Sequence, residues 1–120
     1  MVRSLSQVLL AGIFIKGGAD AFLEPGGRVE KAAAAGLPNP KVAVELNGAA
    51  MVAGGTMLAL GIMPRLAAAG LIACLVPTTI VGHAFWKEEP GPARETQKSQ
   101  FFKNLGLLGG LLLVLTQKED

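Results

Sequence analysis

Four apolar runs, at residues 5–23, 42–63, 66–86 and 97–116, are separated by short polar or proline-rich breaks, and this repetition leaves few folds open. Crossing a ~30 Å hydrocarbon layer takes ~20 predominantly apolar residues. Within that layer each backbone polar group must be bonded inside a helix or around a closed barrel. These runs are too long and too continuously apolar for barrel strands, which alternate lipid-facing and lumen-facing side chains. The expected fold is an all-α membrane protein, a four-transmembrane-helix antiparallel bundle forming a single domain over residues 1–120. Only 17% of the residues are charged, against ~25% in soluble domains, and most of these lie between the runs.

The charges that remain argue against several function classes. Eleven basic and nine acidic residues are spread over short loops rather than gathered in a patch, so no nucleic-acid partner is expected. Cys74 is the single cysteine and lies inside the third run, so the chain has no CxxC pair and no internal disulfide. No metal-ligand set is evident in the sequence.

The first run opens after Arg3 and carries Ala19-Asp20-Ala21, which imitates a signal-peptide cleavage site. Lys16 and Asp20 interrupt the region before that site, and three later runs need a first packing partner, so the run reads as a retained helix. The i,i+4 spacing of Lys16 and Asp20 lets them pair on one helical face. Glu24-Pro25-Gly26-Gly27 ends this helix, and residues 28–36 suit a short interfacial helix before Leu37-Pro38-Asn39-Pro40 turns the chain back.

Glu45, Gly48, Val52 and Gly55 share a face of the second helix, and the small residues allow close backbone approach. Met63-Pro64-Arg65 is a tight turn, making the second and third helices antiparallel neighbours. Pro77 weakens the third helix, Thr79 and His83 follow at helical spacing, and Trp86 is read as an anchor at headgroup level. The fourth run begins Gln100-Phe101-Phe102-Lys103-Asn104-Leu105, and its Gly106 and Gly110 form a GxxxG pair, read as a helix-packing face.

An up-down-up-down path brings the end of the first helix, the start of the second, the end of the third and the start of the fourth to one leaflet. Those ends carry Lys16, Asp20, Glu45, Asn47, His83, Gln100, Lys103 and Asn104, whereas the opposite leaflet shows no comparable set. With His83 neutral, Lys16, Asp20, Glu45 and Lys103 sum to zero, which suits a half-buried network. Such a network has two readings. It braces the bundle while the lysines reach toward the headgroups, or it lines a polar pocket for a small ligand or a quinone head, with His83 and Glu45 as proton carriers. Pairings of Lys103 with Glu45 and of Lys16 with Asp20 are both compatible with the spacing. Arg28, Lys31, Lys41, Lys87, Arg94 and Lys98 flank this leaflet, against Arg3, Arg65 and Lys118 on the other side. That bias favours a cytoplasmic polar end and both termini outside.

The whole pattern resembles the DoxX family of small bacterial four-helix membrane proteins. The resemblance rests on Lys16 in a glycine-bearing first helix, Gly36-Leu37-Pro38-Asn39-Pro40, Glu45-Leu46-Asn47-Gly48, Met63-Pro64-Arg65, His83-Ala84-Phe85-Trp86, and Gln100 to Leu105 followed by Gly109-Gly110. It covers nearly the full length, although Asn47 stands where many members have glycine. The resemblance implies residence in the bacterial plasma membrane. It also implies a link to membrane redox assemblies, since the family takes its name from a subunit associated with thiosulfate:quinone oxidoreductase. No soluble domain follows the fourth helix, so the chain is expected to serve as a membrane subunit or docking partner of a redox or oxidative-stress assembly, not independently catalytic. It would act with membrane lipid, a redox partner or a second copy of itself. A quinone-binding oxidoreductase subunit is the alternative, with quinone as the one cofactor in view, and a small-molecule carrier is a weaker one because four short helices leave little room for alternating access.

Overall fold

The structure is a computed structural model that describes residues 1–118. Five α-helices follow in order: α1 (Val2–Leu23), α2 (Gly27–Ala34), α3 (Pro40–Leu60), α4 (Pro64–Gly82) and α5 (Pro92–Thr116), with a single 3₁₀ turn at Phe85–Lys87 between the last two. The helices other than α2 are long and apolar enough to cross a membrane. The longest dimension, 47 Å, exceeds the ~30 Å hydrocarbon layer and leaves room for headgroup-level ends. No strand occurs among the described residues.

Local chemistry sets the helix limits. Pro40, Pro64 and Pro92 each occupy the first turn of a helix, where the missing amide is no loss and the fixed φ already fits. Two helices end on a glycine in the left-handed region. After α2, Gly36 (φ +84°) donates to Ala33 O and Leu37 to Ala32 O; after α3, Gly61 (φ +70°) donates to Leu58 O and Ile62 to Met57 O. These paired bonds satisfy carbonyls that would otherwise be stranded at a helix end.

Each transmembrane helix begins earlier than the sequence expectation, at Val2, Pro40, Pro64 and Pro92 rather than at residues 5, 42, 66 and 97, and two of them also end earlier. The second transmembrane helix stops at Leu60 rather than residue 63, because Gly61 supplies the left-handed turn. The third stops at Gly82 rather than Trp86: His83 caps it with φ −128°, and Phe85–Lys87 form a separate tight turn. Pro77 is accommodated inside α4.

α1 lies against α3 along much of its length, α3 against α4, and α4 against α5, while α1 and α5 touch only lightly. The α1–α3 seam is backbone against backbone. A Cβ added at Gly18 would meet Gly48 O at 2.6 Å, and one at Gly55 would meet Ile15 Cγ1 at 2.8 Å. Gly48 and Gly55 thus pack as their spacing suggested. Gly106 does not: nothing lies within 4 Å of its would-be Cβ, and Gly110 makes only ordinary contact with Leu10. The buried residues of α5 are Asn104, Leu111 and Val114, and Gly106 falls on a different face of the helix.

Phe14, Leu58, Leu71 and Leu111 are the largest fully buried side chains, while Leu5, Leu9, Leu46, Leu66, Ile80 and Leu113 face outward. An apolar exterior of this kind is what lipid requires of a bundle.

The end remote from the polar cluster is not bare. Buried Gln7 donates to Leu58 O at 3.2 Å and accepts from Gln117 Nε2 at 3.2 Å, and Arg65 Nε donates to Leu115 O at 3.0 Å. The absence of a polar set expected there is therefore corrected: glutamines and main-chain carbonyls fasten α1, α3, α4 and α5 at that level.

Candidate functional site

The ends of α1, α3, α4 and α5 that were expected to share a level do so, and with α2 they enclose an open cavity of about 730 Å³. Asn47, His83, Gln100, Lys103 and Asn104 line it. Lys16, Asp20 and Glu45 do not. Lys16 and Asp20 form an ion pair at 2.5 Å on the outer face of α1, with side-chain exposures of 77% and 48% that place the pair outside the bundle. Glu45 is half-buried and not among the lining residues. Lys103 donates to the amide oxygen of Gln100, one helical turn away, and not to Glu45.

The charge-balanced network expected from the sequence is thus divided. Its acids and Lys16 lie elsewhere, and its neutral amides, His83 and Lys103 line the cavity. Helical geometry explains the separation: Asn47 faces inward from α3, and Glu45, two positions earlier, points about 200° away.

Two amide–hydroxyl bridges hold the cavity wall. Asn47 Nδ2 donates to Thr78 Oγ1 at 2.8 Å, joining α3 to α4, and buried Asn104 Nδ2 donates to Thr79 Oγ1 at 2.9 Å, joining α5 to α4. Each threonine hydroxyl in turn donates a hydrogen bond to a carbonyl one turn back, Thr78 to Cys74 O and Thr79 to Leu75 O. Interhelical bonds of this kind contribute about 0.6–2 kcal/mol each in membranes.

A second network closes the headgroup end. Lys31 Nζ of α2 donates to Gly82 O at 2.8 Å. With the Gln97 amide oriented to satisfy its neighbours, its nitrogen donates to His83 Nδ1 at 2.7 Å and to Gly82 O at 3.2 Å, and its oxygen accepts from Lys31 Nζ at 3.2 Å. A neutral imidazole that accepts at Nδ1 carries its proton at Nε2. In that orientation the His83 proton lies on Nε2, and Gln97 is the hydrogen-bond partner of Nδ1. Alongside, Phe85, Trp86 and Phe101 form edge-to-face pairs with centroids 5.4–5.6 Å apart. Trp86, expected as an anchor at headgroup level, is one ring of an aromatic cluster there.

Arg28, Lys31, Thr78 and Gln97 were missing from the sequence-derived set. Arg28 and Lys31 had a signal, since their i,i+3 spacing puts both on one face of α2. Thr78 had none beyond its position beside Pro77, and Gln97 none beyond being polar at the start of α5. Cys74 is buried and unpaired. No group of three or more His, Cys, Asp or Glu side chains comes together among the described residues.

A family model for DoxX matches residues 5–84. The chain belongs to the DoxX family. The matched span includes α1 through α4 and ends at Ala84, so the Gln100–Leu105 stretch lies beyond it. Neither a curated protein nor a solved structure matches the chain. Membership, together with four membrane-capable helices, makes this DoxX protein a multi-pass membrane protein.

Proposed function

We propose that this DoxX protein is a membrane subunit, not independently catalytic, whose cavity holds the polar head of a small amphipathic molecule on behalf of a redox assembly. The observation that carries this reading is the make-up of the cavity. Its upper wall presents hydrogen-bonding groups from Asn47, His83, Gln100 and Lys103, while Ile13, Phe14, Leu75 and Leu107 supply apolar lining. A cavity with a few convergent polar groups over an apolar body suits a ligand with a head and a tail. Such a site positions a ligand; electron transfer would come from a partner subunit.

A quinone-binding subunit is the second reading, favoured by the presence of His83 and Lys103 together in the cavity lining. An Nε2–H donor and the Lys103 ammonium suit the carbonyl oxygens of a quinone head, although thiosulfate:quinone chemistry itself would require the partner. By the distribution of basic residues, the cavity end faces the cytoplasm and the termini lie outside the plasma membrane.

The test is ligand retention in lipid nanodiscs. A short-chain quinone analogue should bind the parent saturably, and Ala43→Trp, which fills the cavity from α3, should abolish binding while the helical circular dichroism stays unchanged. Equal binding by the parent and the filled variant would remove the cavity from the reading. Chemical cross-linking in native membranes should also recover a redox partner, and consistent recovery of the chain alone would count against the assembly role.

A further inference from the structure

The cavity is charged with one sign. Arg28, Lys31 and Lys103 line it, and no carboxylate does. The hydrogen bonds made by these cations reach only neutral acceptors: Arg28 Nη1 to Glu24 O at 3.3 Å, Lys31 Nζ to Gly82 O at 2.8 Å, and Lys103 Nζ to the Gln100 side-chain oxygen. The three come from α2 and α5, yet all line the same cavity as His83, and Lys31 reaches the carbonyl of Gly82 next to it. They therefore gather at one end of the cavity.

Arg28 and Lys103 are exposed at the open end of the cavity and Lys31 is half-buried, so like charges there still repel one another, with an apolar wall on one side. A negative group placed among them removes that repulsion and gains charge-assisted hydrogen bonds. Lysines that only reached for the headgroup belt would point outward. Here Lys31 is held inward by Gly82 O and the Gln97 amide oxygen. Acids are available close by in sequence, yet Asp20 is engaged by Lys16 on the outer face and Glu45 lies off the cavity. Within the cavity lining, this chain places no carboxylate opposite the three cations.

We infer that the cavity selects an anionic amphiphile, a phosphate or carboxylate head on an acyl chain, with the head among Arg28, Lys31 and Lys103 and the chain along Ile13, Phe14 and Leu107. The inference rests on the amphiphile-holding reading above and adds to it the sign of the head's charge.

Native mass spectrometry of the protein released from nanodiscs of phosphatidylcholine with a minor fraction of phosphatidylglycerol tests it. The parent should retain phosphatidylglycerol over phosphatidylcholine by about tenfold or more, the factor expected from a charge-assisted contact. The triple variant Arg28→Gln, Lys31→Gln, Lys103→Gln should lose that preference, and Lys31→Gln alone, a change on the short helix outside the bundle core, should weaken it. Lys98→Gln, an exposed cation on α5 that does not line the cavity, should leave it intact. Oleate should displace the retained lipid while inorganic phosphate should not; displacement by phosphate as readily as by oleate would name a soluble oxyanion as the source and overturn the requirement for a chain. Absence of any charge preference, or an equal loss in Lys98→Gln, would overturn the anionic head. If the quinone analogue still bound in that case, the cavity reading would stand without this inference; if nothing were retained, both would fall.

Discussion

Replacing Gly48 with alanine should loosen the bundle at its tightest seam. The new methyl carbon would sit 2.6 Å from Gly18 O, 3.0 Å from Phe22 N and 3.1 Å from Ala21 Cβ. Ordinary contact begins at 3.4 Å, so α1 and α3 must part by 3.4 − 2.6 = 0.8 Å along that line. Two of the obstructing atoms belong to the main chain, and no side-chain rotation can clear them. A gap of this size forfeits a quarter to a half of the dispersion energy of each separated contact, and overpacking of this type costs about 1–3 kcal/mol. Removing a glycine from a helix interior returns about 0.5–1 kcal/mol. The net expectation is a loss of about 1 kcal/mol and at most about 2.5 kcal/mol, roughly a 5-fold and at most a 70-fold shift in the folding equilibrium. Gly106→Ala is the control, since nothing lies within 4 Å of the position, and it should be neutral or slightly stabilising. The double variant Gly18→Ala, Gly48→Ala should cost less than the sum of the two single changes, because one separation of the helices serves both methyls. Reversible unfolding by steric trapping in bicelles measures the parent and the four variants. Equal stability of Gly48→Ala and Gly106→Ala would refute the backbone seam, and a selective loss at Gly106 would move the tight contact to an interface between copies.

Asn104→Leu should destabilise the bundle by about 0.6–2 kcal/mol in the same assay, because it removes the bond to Thr79 Oγ1; an unchanged midpoint would show that the amide does not bridge the helices. Cys74, 7% exposed, should resist maleimide in the folded protein and react once the bundle is unfolded, and rapid labelling of the folded state would contradict its position in the core. Gln7→Leu removes the bonds to Leu58 O and Gln117, so limited proteolysis should cut the segment after Thr116 faster than in the parent, and an unaltered rate would mean that the glutamine does not hold that segment.

The transmembrane helices were legible because lipid imposes a simple rule, and runs of about 20 apolar residues obey it. The shared level of the polar residues was legible for the same reason, since an antiparallel bundle of four spans brings alternate ends together. Which way each polar side chain points was not. Glu45 and Asn47 are two residues apart in a segment whose whole circumference is apolar, so no hydrophobic stripe marks which of them faces inward. The same ambiguity made Gly106 and Gly110 look like a packing face when Gly18 and Gly48 form the close approach. Gln7 was overlooked because one neutral amide near a helix start carries no signal until the carbonyl of Leu58 is placed beside it.

The neighbouring hydroxyls of Thr78 and Thr79 carry a consequence for the kinds of sequence change this protein can absorb. They are consecutive on α4 but serve different helices, Thr78 receiving Asn47 of α3 and Thr79 receiving Asn104 of α5. Successive helical positions differ by about 100° and 1.5 Å, so inserting or deleting one residue between Pro64 and Thr78 swings both hydroxyls away from their partners together. Substitutions at either asparagine break one strut, whereas a change in residue count upstream breaks two. The length of α4 before its threonines is therefore fixed by its neighbours on both sides, while the Lys87-to-Gly91 connection that follows, free of these struts, can change length without disturbing them.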